Sequence, residues 1–147
     1  MRSDYYEQIS DEVITLMRRA DFKRTLDGSA DAMDRSAYLL LKWLDREGAA
    51  AIGVIAEAFQ LDNSTVSRQV AALETKGWVQ RCSDPGDARV SKVEIADAGR
   101  EAVRAANDQR RNAYAEALSD WQDEELQHFA QLLARLNRAI EKRKKLR

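Results

Sequence analysis

The chain has 147 residues, room for one domain with or without a helical extension and too little for two independent catalytic domains. Hydrophobic residues make up 44% and charged residues 33%, with six Gly and one Pro, which excludes disordered and fibrous classes and favours a soluble, helix-rich fold. With 24 basic against 25 acidic residues, net charge alone points to no nucleic-acid partner.

Gly and Pro punctuate the chain into seven elements. Residues about 7 to 27 place Ile9, Val13, Ile14, Met17 and Ala20 at three- and four-residue spacing, which predicts an amphipathic first helix broken by Gly28-Ser29-Ala30-Asp31. Asp34 can cap a second helix to about Glu47, with Tyr38, Leu41 and Leu44 on one face and Trp43 to one side, closed by Gly48. A short third helix over about Val54 to Phe59 leads through a tight turn to a fourth, about Ser64 to Lys76, with Asp62 or Asn63 as N-cap and Gly77 as C-cap. Two helices this close read as a helix-turn-helix. Trp78 to Cys82 and Val90 to Ile95 are strand-like runs joined by Ser83-Asp84-Pro85-Gly86-Asp87-Ala88-Arg89, which predicts a β-hairpin, or wing.

From about Asp97 the pattern is helical to the end, interrupted near Leu118-Ser119-Asp120, where Ser119 or Asp120 can cap the last helix. Leu126, Phe129, Leu133, Leu136 and Ile140 alternate steps of three and four, the seam of one helix packed on another. The first helix carries its own apolar stripe through Ile9 and Val13, and both stripes lie outside the winged core, so a second copy of the chain is expected to bury them. The expectation is a homodimer. The last seven residues carry five cations and one Glu, which suits a solvated helix C-terminus.

On the fourth helix Val66, Val70 and Leu73 mark the buried side. Ser64, Arg68, Ala71 and Thr75 fall opposite, flanked by Thr65 and Ser67. A small, hydroxylated first turn with one arginine, opening at Asn63, suits a helix entering a major groove end-on, where Ser and Thr can bond phosphates or bases and Arg can grip guanine. The wing places Arg89 near a hairpin tip with Asp87 two residues before it, and an arginine oriented in this way suits a narrow minor groove.

These residues resemble the MarR family, the multiple-antibiotic-resistance regulators, which are dimeric winged-helix transcription factors of bacteria and archaea. The most specific stretches are Ile55-Ala56-Glu57, Asn63-Ser64-Thr65-Val66-Ser67-Arg68, Leu73-Glu74-Thr75-Lys76-Gly77-Trp78-Val79-Gln80-Arg81 and Asp84-Pro85-Gly86-Asp87-Ala88-Arg89. The resemblance implies one domain over 1–147, mainly α with a small β-hairpin wing. Its winged helix-turn-helix core spans 34–96, flanked by dimerisation helices at 1–28 and 97–147. It implies a recognition helix over 63 to 76 bearing Asn63, Ser64, Thr65, Ser67 and Arg68, and a minor-groove Arg89 supported by Asp87. The dimer contacts would come from Ile9, Val13, Leu126, Phe129, Leu133, Leu136 and Ile140.

Such a homodimer would repress from a pseudo-palindromic duplex DNA operator with half-sites about 10 bp apart. The resemblance further implies that a small aromatic acid or phenol binds between the dimerisation helices and the winged domain. The residues of that effector site are unknown; Met17, Arg18, Tyr38 and Trp43 are conceivable, although such residues on a helix stripe are more often core. Two departures stand out: Gln60 replaces the glycine usual before the recognition helix, and Ile95-Ala96 replaces a Leu-Thr pair, with Asp97 available as the cap one residue later.

Other functions fit less well. A lone Cys82 excludes an internal disulfide, a lone His128 leaves too few soft ligands for zinc, and neither a metal nor a cofactor is expected. His128 reads as a surface or interface histidine, and Cys82, with only Arg81 beside it, as an inert strand thiol rather than a peroxide sensor. No Gly-rich phosphate loop or nucleophile pair suggests an enzyme. No run approaches about 20 apolar residues and the N-terminus lacks a signal-peptide core, so a cytoplasmic protein without membrane contact is expected. The rival reading is a winged-helix protein-interaction scaffold, favoured by seven basic and eight acidic residues over 36–96.

Overall fold

A computed structural model of the chain describes residues 1–19, 22, 26 and 33–146. Among these, six helices and one two-stranded sheet follow in the order α1 (Arg2–Arg18), α2 (Arg35–Glu47), α3 (Ile52–Phe59), α4 (Asn63–Thr75), β1 (Val79–Asp84), β2 (Asp87–Ile95), α5 (Asp97–Ala117) and α6 (Asp123–Lys145). This is the mainly helical, winged helix-turn-helix architecture expected. α1 begins five residues before the apolar stripe suggested, because Asp4 in its first turn complements the exposed helix amides and lies 3.5 Å from the N-terminal ammonium. α1 ends at Arg18, where Arg19 turns to extended backbone at φ −65°, ψ 113°, rather than near residue 27; the expected break at Gly28-Ser29-Ala30-Asp31 lies outside the described residues.

Residues 1–113 form one compact unit and 114–147 another. In the first, α2 starts where Asp34 accepts from the Ala37 amide at 2.8 Å, as its sequence predicts. Leu40, Leu41 and Leu44 of α2 join Ile55 and Ala56 of α3, Val66, Val70 and Leu73 of α4, and Val79, Val93 and Ile95 of the hairpin in one core. Each of the fully buried Leu, Ile and Val side chains contributes about 1.5–3 kcal/mol of transfer free energy. Tyr38 and Trp43 pack half-buried against this core, Trp43 edge-on to Phe59. Arg100 ties α5 to α2 through Asp45 at 3.1 Å and also binds Asp97 at 2.8 Å. Asp97 is thus the first residue of α5 rather than the cap before it, with its carboxylate turned to Arg100.

The hairpin is antiparallel, pairing Val79 with Ile95, Arg81 with Val93 and Ser83 with Ser91. Val93 also bonds Ala50 on its other edge, amide to carbonyl in both directions at 2.8 and 3.0 Å. In the second unit α6 is capped by neither Ser119 nor Asp120. The segment before it makes another turn, Trp121 N–H donating to the Leu118 carbonyl, and the start moves to Gln122, which forms a reciprocal capping box with Glu125. Neither α1 nor α6 has a buried residue, and Ile9, Val13, Leu126, Phe129, Leu133, Leu136 and Ile140 are all exposed in the single chain. Among the described residues no helix is long and apolar enough to cross a membrane.

Candidate nucleic-acid interface

The helix-turn-helix depends on how α3 ends. The Leu61 amide donates to the Ala56 carbonyl at 2.9 Å and the Gln60 amide to Glu57 at 3.2 Å, the paired bonds of a Schellman motif. That motif places Gln60 at φ 54°, ψ 45°, the left-handed region glycine occupies most easily. The turn that the missing glycine left open is therefore kept, at the cost of a strained glutamine. α4 ends in the same motif, with Trp78 donating to Leu73 and Gly77 to Glu74, and here the left-handed residue is Gly77 at φ 75°.

Asp62 is the N-cap of α4, and Asn63 is its first residue. The Asp62 carboxylate accepts from the Thr65 amide at 2.6 Å and the Ser64 hydroxyl at 2.8 Å. Hydrogen bonding from the Thr65 hydroxyl and backbone N–H, then from the Ser64 hydroxyl, holds its pKa down at about 2. Arg68 Nη2 reaches back one turn to Thr65 Oγ1 at 3.4 Å. Val66, Val70 and Leu73 are buried; Asn63, Ser64, Ser67, Arg68, Ala71 and Thr75 are exposed and Thr65 is half-buried. The face named from the sequence is therefore the outer one, and its first turn is pre-ordered by one carboxylate.

The wing departs from its expected shape. The strands extend to Asp84 and from Asp87, so the turn is only Pro85-Gly86, with the Gly86 amide bonded to Asp84 Oδ1 at 2.9 Å. Pairing passes from Ser83 with Ser91 directly to Asp84 with Asp87, which leaves residues 88–90 as a bulge. Arg89 lies on this bulged part of β2, not in a loop. Asp87 Oδ1 accepts from both the Arg89 backbone amide, at 3.0 Å, and its Nε, at 3.3 Å, while the Arg89 side chain is 93% exposed. An exposed pair of this kind adds at most about 1 kcal/mol to stability. What it does is aim the guanidinium. Behind it, Asp84 meets Lys92 at 3.6 Å.

A cavity of about 680 Å³ opens between the start of α2, the C-terminal half of α4 and α5. Arg35, Lys76 and Arg110 supply three cations to its lining, with Ser36, Gln69 and Asp34 as further polar groups. Arg110 donates to the Met33 carbonyl at 3.0 Å and stacks 4.2 Å from the Tyr38 ring centroid, while the Tyr38 hydroxyl donates to Asn107 at 3.1 Å. None of Met17, Arg18, Tyr38 and Trp43 lines it; Met17 is 81% exposed. Cys82 is half-buried on β1, and desolvation, with Glu94 nearby, pushes its thiol pKa up, the opposite of a peroxide sensor.

A model of the MarR family matches residues 33–91. Over 134 residues, 91% of this chain and 94% of the relative, the sequence is 41% identical to the uncharacterised HTH-type transcriptional regulator YxaD of Bacillus subtilis (strain 168). The chain belongs to the MarR family. Among solved structures, this MarR protein is similar to a MarR family protein from Bacillus stearothermophilus, with TM-score 0.70 and 21% identity over 95% of this chain and 94% of that one. It is also similar to a mutant MarR from E. coli complexed with operator DNA, with TM-score 0.66 and 15% identity over 88% and 93% of the two chains. Both likenesses are of fold.

As a MarR-family member the protein is a DNA-binding transcriptional regulator and not an enzyme. The sequence left the cap role open between Asp62 and Asn63. It gave no sign of the MarR protein's cavity, because residues 33–37, 69–76 and 110 meet only through tertiary packing.

Proposed function

We propose that the protein is a homodimeric repressor that binds a pseudo-palindromic operator and is released by a small effector. The observation that carries this reading is Asp87 Oδ1 accepting from both the Arg89 amide and its Nε, which orients an exposed guanidinium on a thin hairpin, together with the exposed polar face of α4. Asn63, Ser64, Thr65, Ser67 and Arg68 would face base edges and phosphates of a major groove, and Arg89 the adjacent minor groove. The exposed stripes through Ile9 and Val13 on α1 and through Leu126, Phe129, Leu133, Leu136 and Ile140 on α6 support pairing with a second copy. With two recognition helices about 34 Å apart, half-sites lie about 10 bp apart.

The test is a salt-dependent binding titration against DNA flanking the protein's own gene, with Arg89→Ala beside the wild type. Tight, salt-sensitive binding that the variant loses supports the reading. Binding no tighter than to random DNA, both there and in a genome-wide selection of bound fragments, refutes it.

For release, the three cations lining the cavity favour an effector bearing a carboxylate or similar anion, and Gln69, Ala72 and Leu73 of α4, with Lys76 just after it, stand in its wall. An effector preferring the DNA-incompatible arrangement by about 1–3 kcal/mol weakens operator binding about 5- to 150-fold. Calorimetry with small carboxylic acids tests this; binding equally tight with and without operator would exclude release through this site.

A further inference from the structure

The first turn of α4 fixes the direction of one hydroxyl proton. Ser64 Oγ is 2.8 Å from Asp62 Oδ1. An ionised carboxylate only accepts, so the single Ser64 proton is the one donated. The same oxygen is anchored by the Thr65 amide at 2.6 Å, and the low pKa of Asp62 keeps it ionised at any physiological pH. Ser64 is exposed on the second residue of the helix and presents only lone pairs outward. A phosphate oxygen has no proton to give it, and the Asp62 charge beside it repels phosphate.

In the major groove, adenine N6 and cytosine N4 are donors, whereas guanine O6 and N7 and thymine O4 are acceptors. Resting on the reading that this turn of α4 enters a major groove, we propose that Ser64 is an acceptor-only base reader. It selects an adenine or cytosine amino group on the strand it faces and discriminates against guanine and thymine there. Asp62 is the positioning residue that imposes this polarity. An ordinary serine, free to rotate its hydroxyl, would accept either class.

The experiment uses the full-length protein and duplexes selected from a randomised library. The expected result is one base pair of the half-site at which Ser64→Ala loses selectivity and the wild type prefers A or C over T or G on one strand. With the wild-type protein, replacing that base by an analogue lacking the exocyclic amino group weakens binding about fivefold, the loss of one neutral hydrogen bond. Ser64→Ala costs the same, and the two changes together cost no more than either alone.

Asp62→Gly, which keeps a tolerated N-cap, frees the Ser64 proton, so the variant accepts keto and amino bases alike at that position; its Tm falls by the lost carboxylate contribution, and circular dichroism below that Tm shows it folded under the binding conditions. The proposal is overturned if Ser64→Ala relaxes no position, if the analogue's cost persists in Ser64→Ala, or if Asp62→Gly keeps the amino preference. A wild-type protein that enriches no sequence overturns the parent reading as well, and so separates the two failures.

Discussion

Gln60 is the one non-glycine residue at positive φ among the described residues, and replacing it with glycine should stabilise the fold. An L-residue in the left-handed region costs roughly 1–2 kcal/mol that glycine avoids. Against this, glycine loses more backbone freedom on folding, about 0.5–1 kcal/mol. Gln60 is exposed, and among the described residues no side-chain hydrogen bond holds it, so the change forfeits little packing. The difference is a gain of about 0.5–1 kcal/mol, which in a chain of this size raises Tm by about 1–4 °C.

Thermal unfolding at matched protein concentration, followed by circular dichroism, measures the shift. Gln60→Val supplies the opposite sign, because a β-branched side chain tolerates positive φ worst. Gln60→Gly at or below the wild-type Tm, with Gln60→Val no worse, would refute the account of a strained turn.

Three other outcomes follow from the same geometry. A Cβ on Gly99 would collide with the Trp78 carbonyl oxygen and stand 2.9 Å from Ile95 Cγ1, so Gly99→Ala is expected to destabilise by about 2–3 kcal/mol; an unchanged Tm would contradict it. Asp62 has a folded-state pKa of about 2 against an ordinary 3.8. Its contribution to stability is therefore full above pH 3.8 and is lost as pH falls through that value toward 2. The wild type should lose stability relative to Asp62→Asn over that range, and a Tm difference independent of pH would show that the carboxylate is not held as described. Sedimentation at micromolar concentration should give twice the 16.7 kDa chain mass, with Leu133→Asp shifting it to monomer; a wild-type mass of 16.7 kDa would exclude the dimer.

Legibility in the sequence followed the range of the interactions. α2, α4 and the core face of Val66, Val70 and Leu73 were readable because helix periodicity and a capping aspartate act within four residues. The wing was recognisable from its turn residues, but its strand ends were not. Asp84 closing a two-residue turn and the unpaired residues 88–90 depend on register, which periodicity does not encode. The start of α6 was misplaced because Ser119 and Asp120 are better caps by type than Gln122; the reciprocal bond with Glu125 decided it. Gln60 looked like a defect and is a working turn residue, since the Schellman bonds impose the conformation on whatever side chain stands there. The cavity, gathered from three distant segments, left no local trace.

The double pairing of Val93 makes the wing mechanically uneven. Its base is clamped on both edges, by Arg81 on one side and Ala50 on the other, while everything past Ser83 and Ser91 is a two-stranded ribbon with a bulge at its root. The seven residues 84–90 beyond that pair therefore behave as a cantilever with its compliance concentrated at 88–90, the segment that bears Arg89. In the proposed complex, flexure there would absorb variation in groove width from one DNA site to another and leave the register of α4, anchored through the core, undisturbed. Hydrogen exchange would record that division as slow amides in the clamped stretch and fast ones beyond it.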